Sequence, residues 1–224
     1  CQEMVKKTFV DTDLSGKLLT SANSINIARW LPQMLYYFIA YRNLNRKNSN
    51  LVVSVPSGNF GNLCAGMLAK KMGLPINHFV ASTNENDTVA KFMKTGKYEK
   101  QKTISTITNA MDVGDPSNFI RILSLYDHNF KELKKELTAY KFSDQETILG
   151  IRELYHKSKY LLDPHGATAY LGLKKYLFSN PETIGLFLET AHPVKFLDTV
   201  ENALNIKISI PQHILELKKK EKSK

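Results

Sequence analysis

Apolar positions in SINIARWLPQMLYYFIAYR, residues 24–42, recur three and four apart, the spacing that lays one face of an α-helix on a core. This predicts a long, aromatic-rich helix with a buried inner face, kinked or restarted at Pro32, whose ring removes a backbone donor. The next pattern is of another kind. Leu51 to Val55 is continuously apolar, the composition of a strand covered on both faces in a parallel sheet. An amphipathic helix from about Leu63 to Met72 follows and stops at Gly73, and Ile76 to Ala81 reads as a second strand. Residues 51–81 therefore form one strand–helix–strand unit of the doubly wound type.

Further on, Asp87 to Met93 starts a helix with Asp87 placed as a cap, and Asp115-Pro116-Ser117 introduces another over NFIRILSLY. Residues 129–138 and 144–159 read as charged amphipathic helices. Asp163 before Pro164 sets a capping carboxylate ahead of a proline at the first helical position, opening HGATAYLGLKKYLF. Gly185 to Glu189 is a short strand ending at Thr190, and a further helix begins near His192-Pro193. Strands and helices alternate without repeats. The expected fold is α/β, a doubly wound, mostly parallel sheet flanked by helices. Its organisation is read as 1–50 helical segments continuing from a region outside the chain, 51–210 an α/β phosphate-binding domain, and 211–224 a basic tail.

The first residue is Cys, and CQEMVKKTFVD already reads as the end of a helix, so the chain is expected to start inside a longer protein. Its 224 residues, 42% hydrophobic, suffice for one substantial core. Much of the net charge of +10 sits in LELKKKEKSK, residues 215–224, a solvated, fraying run. The remaining basic residues are scattered without an aromatic-interleaved patch, which argues against nucleic acid. Cys1 and Cys64 are too few for a disulfide framework and lack metal-ligand spacing, so no metal and a reducing, cytoplasmic setting are expected. No run reaches the roughly 20 apolar residues of a membrane helix.

The candidate chemistry lies in LVVSVPSGNFGNLCAGMLAKK, residues 51–71. A loop leaving a parallel strand sits at the carboxyl edge of the sheet, where the next helix presents unpaired N–H groups. Gly58 and Gly61 let an anion approach the backbone, and Ser57, Asn59 and Asn62 add polar side chains. A phosphate monoester suits such a cradle. The stretch is neither a Walker loop nor a dinucleotide fingerprint, since Gly-Lys-Ser/Thr and G-x-G-x-x-G are both missing. An ordinary helix-capping turn is the bland alternative.

PSGNFGN closely resembles the phosphate-binding loop of the threonine synthase family, pyridoxal-phosphate enzymes of the tryptophan-synthase-β fold type (fold type II). Four further segments resemble the same family in order: SANSINIARWLPQMLYYF (21–38), STNENDTVAKFMKTGKY (82–98), NAMDVGDPSNFIR (109–121) and TAHPVKF (190–196). The resemblance implies a reaction converting O-phosphohomoserine and water to threonine and phosphate, with pyridoxal phosphate as electron sink. It implies that Gly58, Asn59, Phe60, Gly61 and Asn62 hold the cofactor phosphate, with Ser57 at the margin. It implies too that the Thr190 hydroxyl faces the pyridine nitrogen, a neutral partner that favours the unprotonated ring.

For the substrate's phosphate the resemblance leaves Asn23, Ser24, Asn26 and Arg29, with Lys195; the alternatives are a surface ion pair for Arg29 and a carboxylate partner for Lys195. His165 and His192 stay unassigned, and Asp112 and Asp115 read as loop and cap residues. The family's cofactor-anchoring lysine lies in a Phe-Lys-Asp segment upstream of everything matched, and no such segment occurs here. Phe130-Lys131-Glu132 is the nearest imitation, in a solvated helix pattern. The chain is thus expected to be a C-terminal portion, inactive alone, partnered by the missing N-terminal lobe. Other readings are a serine/threonine dehydratase-like fragment of the same fold type, or a noncatalytic phosphate- or nucleic-acid-binding module.

Overall fold

A computed structural model describes residues 2–44 and 50–220. Cys1, residues 45–49 of the N-terminal segment and the last four residues of the tail lie outside the described residues. The elements run α1 (Gln2–Phe9), α2 (Trp30–Arg42), β1 (Leu51–Pro56), α3 (Gly61–Lys71), β2 (His78–Thr83), α4 (Thr88–Thr95), α5 (Phe119–Leu125), α6 (Phe130–Glu136), β3 (Leu137–Lys141), α7 (Asp144–Ser158), α8 (Pro164–Ser179), β4 (Ile184–Phe187), α9 (Leu197–Leu204) and α10 (Gln212–Lys219). Short 3₁₀ turns stand between several of them.

The four strands pair in the order β3-β2-β1-β4, every pair parallel, which is the expected doubly wound sheet. Alternation along β1 assigns its two faces. Leu51, Val53 and Val55 join the main core with α2, α3 and the aromatic residues of α4 and α5, while Val52 packs with Val80 and Leu173 of α8. Ser54, between them, donates to the Ala169 carbonyl of α8 at 2.7 Å and shares a hydrogen bond with Ser82 at 3.1 Å. α8 lies so close to the sheet that a Cβ at Gly172 would stand 1.9 Å from Ser82 Oγ. Asp163 caps α8 as expected, accepting from the N–H of His165 (2.8 Å) and Gly166 (3.3 Å).

Several boundaries differ from the sequence pattern, each for a physical reason. The helix expected over 24–42 starts at Trp30, because the Asn23 and Asn26 side chains bond to the backbone N–H of Ile25 and Ala28 and hold turns ahead of it. Pro32 then falls in the first helical turn, where its missing N–H is not needed. The inner face is Trp30, Met34 and Tyr37, as expected; Leu31, Leu35, Tyr36 and Ile39 stay exposed. The charged helix over 129–138 ends at Glu136, and the residues beyond it become β3. Leu137 and Ala139 point into the core, and tertiary pairing with β2 overrides the helical pattern.

The second strand lies two residues later than expected. Asp87 stands at the start of α4 without making a side-chain cap, and pairs with Lys91 at 2.9 Å instead. Asp115 does not cap α5 either; it accepts from the Tyr98 hydroxyl (3.0 Å) and pairs with Lys100 (2.9 Å). Residues 193–196 form a 3₁₀ turn capped by His192, and the α-helix begins after it. The basic tail contains a helix, α10, where a fraying run was expected.

Candidate functional site

The chain leaves β1 toward β2 on one side and returns as β4 on the other, so the carboxyl ends of β1 and β4 mark the switch point of the sheet. Ligands of doubly wound folds enter there, between the two diverging connections. A cavity of about 460 Å³ occupies that place, lined by Gln33 and Tyr36 of α2, Asn62 of α3, and Leu188, Glu189 and Thr190 at the end of β4. Two residues singled out from the sequence as far apart as 62 and 190 thus share one wall.

The loop between β1 and α3 is built to expose its backbone. Ser57 is turned inward: its N–H donates to the Ser82 carbonyl (2.9 Å) and its hydroxyl to Val55 (2.9 Å). Gly58 lies against the 110–111 backbone, where a Cβ would come within 2.5 Å of Met111 Cα. Phe60 takes a left-handed conformation, φ +64°, and its buried ring packs edge-on against Phe119. That turn starts α3 at Gly61. The first bond back into the helix runs from Cys64 N–H to the Phe60 carbonyl (2.9 Å), so the earlier N–H groups point out of the helix end and carry its positive pole.

The asparagine side chains serve the scaffold. Asn59 donates to Ser24 Oγ (2.7 Å) and accepts from the Ser117 N–H (2.8 Å) and hydroxyl (2.9 Å). Asn62 accepts the Tyr37 hydroxyl with both its carbonyl and its Oδ1, each at 3.0 Å. Burial pushes the Tyr37 phenol well above its ordinary range and keeps it a neutral donor. With these side chains engaged, an anion at this loop would meet main-chain N–H groups.

Of the residues assigned to a second anion, Ser24 is brought to the loop through Asn59, and its carbonyl accepts from Asn118 Nδ2 (3.0 Å). Arg121 fastens the same segment by donating to the Ile25 carbonyl (2.8 Å). Asn23 and Asn26 hold turns with their side chains, and Arg29 is exposed, donating to the Ala22 carbonyl (2.9 Å). A separate cleft of about 750 Å³ takes in Ser21, Asn26, Ser117 and Arg121 but neither Arg29 nor Lys195. Lys195 is exposed on the turn capped by His192, whose Nδ1 accepts from the Val194 N–H.

His165 is structural in its contacts. Its Nδ1 meets Asp163 Oδ1 at 2.7 Å, and its Nε2 accepts from the Ala110 N–H at 3.3 Å, which ties α8 to the segment packed behind Gly58 of the β1–α3 loop. Asp112 is a loop residue as read, accepting from Thr106 and Asn84. Sequence reasoning passed over Gln33, Tyr36 and Glu189. The first two sat in a stretch read as helix, and Glu189 in one read as strand; its one signal was a carboxylate closing the apolar run GLFLE.

The residues present fit a phosphorylated, ring-bearing cofactor. The helix end supplies donors for a dianion, and Gln33 beside the adjoining cavity has a buried oxygen without a partner. Among the described residues, buried side-chain atoms without a partner are Trp30 Nε1, Gln33 Oε1 and Glu189 Oε2, and the last two belong to residues lining the cavity. No group of three or more metal-ligating side chains occurs among the described residues. No described helix is long and apolar enough to cross a membrane.

A parallel sheet that aims a glycine-bearing loop and a helix N-terminus at its switch point is the architecture of doubly wound α/β proteins, a fold that commonly holds phosphorylated ligands there. The chain belongs to the pyridoxal-phosphate dependent enzyme family, whose model matches residues 16–188. A second model, threonine synthase C-terminal, matches residues 167–224. Threonine synthase from Buchnera aphidicola subsp. Schizaphis graminum is 49% identical over 216 residues, 96% of this chain and 49% of the relative.

Among solved structures, threonine synthase from Escherichia coli superposes with a TM-score of 0.89 at 45% identity, covering 96% of this chain and 50% of its own. A pyridoxal-phosphate-bound threonine synthase from Brucella melitensis gives 0.89 at 31% identity, covering 100% and 53%. The chain spans about half the length of the curated relatives it matches.

Proposed function

We propose that this chain is the C-terminal, cofactor-phosphate-binding half of a threonine synthase, the whole protein converting O-phospho-L-homoserine and water to L-threonine and phosphate. Pyridoxal phosphate, when bound, supplies the electron sink for that elimination and hydration. The backbone N–H groups over Gly58 to Asn62 receive its phosphate at the positive end of α3. Asn59 and Phe60 keep those groups in place through Ser24, Ser117 and Phe119. The Thr190 hydroxyl offers the pyridine nitrogen a neutral hydrogen bond. Asn23, Ser24, Asn26, Arg29 and Lys195 take the substrate's phosphate. Residues 51–210 form the phosphate-binding domain, 1–50 continue a lobe outside this chain, and 211–224 are a basic extension. That lobe carries the anchoring lysine, so these 224 residues do not complete the reaction alone. A free, buried Cys64 accords with a reducing, cytoplasmic setting.

The observation that carries this reading is the single cavity at the β1/β4 switch point that Asn62 and Thr190 both line, beside the start of α3. The test is a titration of the chain with inorganic phosphate followed by amide chemical shifts, together with phosphate release from O-phospho-L-homoserine by the full-length protein. Shifts centred on residues 58–63 and release that depends on added pyridoxal phosphate are expected. Shifts confined to the basic C-terminus, or full-length protein that takes up no cofactor, would refute it.

A further inference from the structure

Glu189 lies two residues past β4 with its carboxyl group turned back onto α8. A Cβ at Gly166 would stand 2.0 Å from Glu189 Oε2 and 2.8 Å from Oε1, so the carboxyl group lies flat on the glycine in the first helical turn. Oε1 accepts from the Asp163 N–H at 2.9 Å, while Oε2 is buried and faces no donor. The buried Asp163 carboxyl group is its neighbour. Two neighbouring carboxyl groups taken out of water do not both stay ionised, and one of them holds a proton.

The structure decides which. Asp163 is fully buried, yet its oxygens accept from the His165 N–H (2.8 Å), the His165 ring (2.7 Å) and the Gly166 N–H (3.3 Å). Burial pushes Asp163 upward, but these donors outweigh it and hold it below the ordinary carboxylate range. Glu189 has one donor and an ionised neighbour; burial first and Asp163 second push it up to about 8. The other ionisable groups facing the pair are His165, whose ring bonds Asp163, and Tyr160, before α8; Tyr36 lines the same cavity as Glu189.

We propose that Glu189 is a further positioning residue of the site: as a neutral carboxylic acid that accepts from the Asp163 N–H and lies on Gly166, it clamps the segment after β4, and Thr190 with it, to the N-terminus of α8. The consequence at Thr190 rests on the function proposed above; the protonated Glu189 does not. A charged Glu189 would repel Asp163 across the same contact and set a carboxylate beside the residue that is to meet a neutral ring nitrogen.

The experiment is an infrared pH titration of the full-length protein, first without and then with pyridoxal phosphate, alongside Glu189→Gln. Without cofactor, the wild type should show one protonated-carboxyl band at neutral pH that falls to half near pH 8 and is missing from Glu189→Gln. With cofactor, its absorption spectrum should change over the same pH interval in the wild type and stay constant in the variant. A wild-type protein without that band at neutral pH, or a variant that retains it, overturns the proposal. If the variant does not fold, selective labelling of glutamate carboxyls in the wild type decides the same point. Failure of the cofactor to bind, with the band present, counts against the proposed function and leaves the carboxyl pair standing.

Discussion

Asn59 of the β1–α3 loop donates to Ser24 Oγ at 2.7 Å, joining two turns 35 residues apart in sequence. Its Oδ1 accepts twice from Ser117, so one side chain holds three segments together. Asn59→Ala should cost about 1 kcal/mol, the net worth of a typical hydrogen bond, since its partners are half-buried and water can meet them, measured by urea unfolding. Asn59→Asp keeps the acceptor toward Ser117 but places a negative charge beside the helix end. Phosphate affinity should therefore fall further in Asn59→Asp than in Asn59→Ala, and an equal fall would mean that the anion binds elsewhere.

Gly172 sets how closely α8 approaches the sheet. Adding a methyl group drives it against Ser82 Oγ at 1.9 Å and Ser54 Oγ at 3.1 Å, both inside a hydrogen-bonded pair. Gly172→Ala should destabilise the chain by about 1–3 kcal/mol as an overpacking change. Removing the obstructing hydroxyl as well, in Gly172→Ala with Ser82→Ala, should recover part of the loss. A double-mutant cycle in unfolding free energy measures that coupling, and strict additivity would contradict the close contact.

The local patterns that survive into the fold are those that tertiary structure has no reason to oppose. The buried run of β1, Gly73 at the end of α3 and the Asp163-Pro164 cap are legible because strand burial, left-handed glycine and N-capping are decided within a few residues. β3 is not legible, since Leu137 to Lys141 becomes a strand only by pairing with β2. The glycines and asparagines of the loop suggest an anion site from sequence alone, an expectation that the phosphate titration tests. That Asn59 and Asn62 spend their side chains on Ser24, Ser117 and Tyr37 is visible only once distant segments are in place. Glu189 was hidden for the same reason, its partners being 23 and 26 residues away on α8.

Phe119 supports the strained turn at Phe60 from behind. Its fully buried ring touches Phe60, Phe92 and Tyr98 with centroids 5.3–5.8 Å apart. Phe119→Ala should lose about 3–5 kcal/mol through the cavity it leaves, and Phe119→Leu clearly less. Because Phe60 is held left-handed by this packing, Phe119→Ala should also weaken phosphate binding at residues 58–63. Calorimetry with the same titration checks both, and unchanged phosphate affinity would separate the aromatic cluster from the loop.

Thr190 is exposed and shares its cavity with Asn62. In the full-length protein, Thr190→Ala should weaken cofactor binding by about 1 kcal/mol, the net worth of a neutral hydrogen bond, or roughly fivefold. Thr190→Asp offers a charge partner and should shift the bound cofactor's spectrum toward a protonated ring. Fluorescence and absorbance titrations read these effects. Identical spectra for the two variants would place the ring away from residue 190.

The carboxyl pair also sets how stability responds to pH. Glu189 sits above its unfolded value of 4.5, at about 8, so between these two the folded chain holds a proton that the unfolded chain has released. Its contribution is full below the unfolded value and is lost as pH rises through about 8. Asp163 runs the other way: held below its ordinary 3.8, it stabilises the fold above that value and ceases to as pH falls through its lowered one. Urea midpoints should accordingly decline from mildly acidic pH toward pH 8 in the wild type. Glu189→Gln cannot ionise, so its midpoints should stay level across that interval while the acid-side loss from Asp163 remains. Parallel curves for the two proteins would mean that Glu189 releases its proton at the ordinary value, and with it that the contact on Gly166 holds an anion.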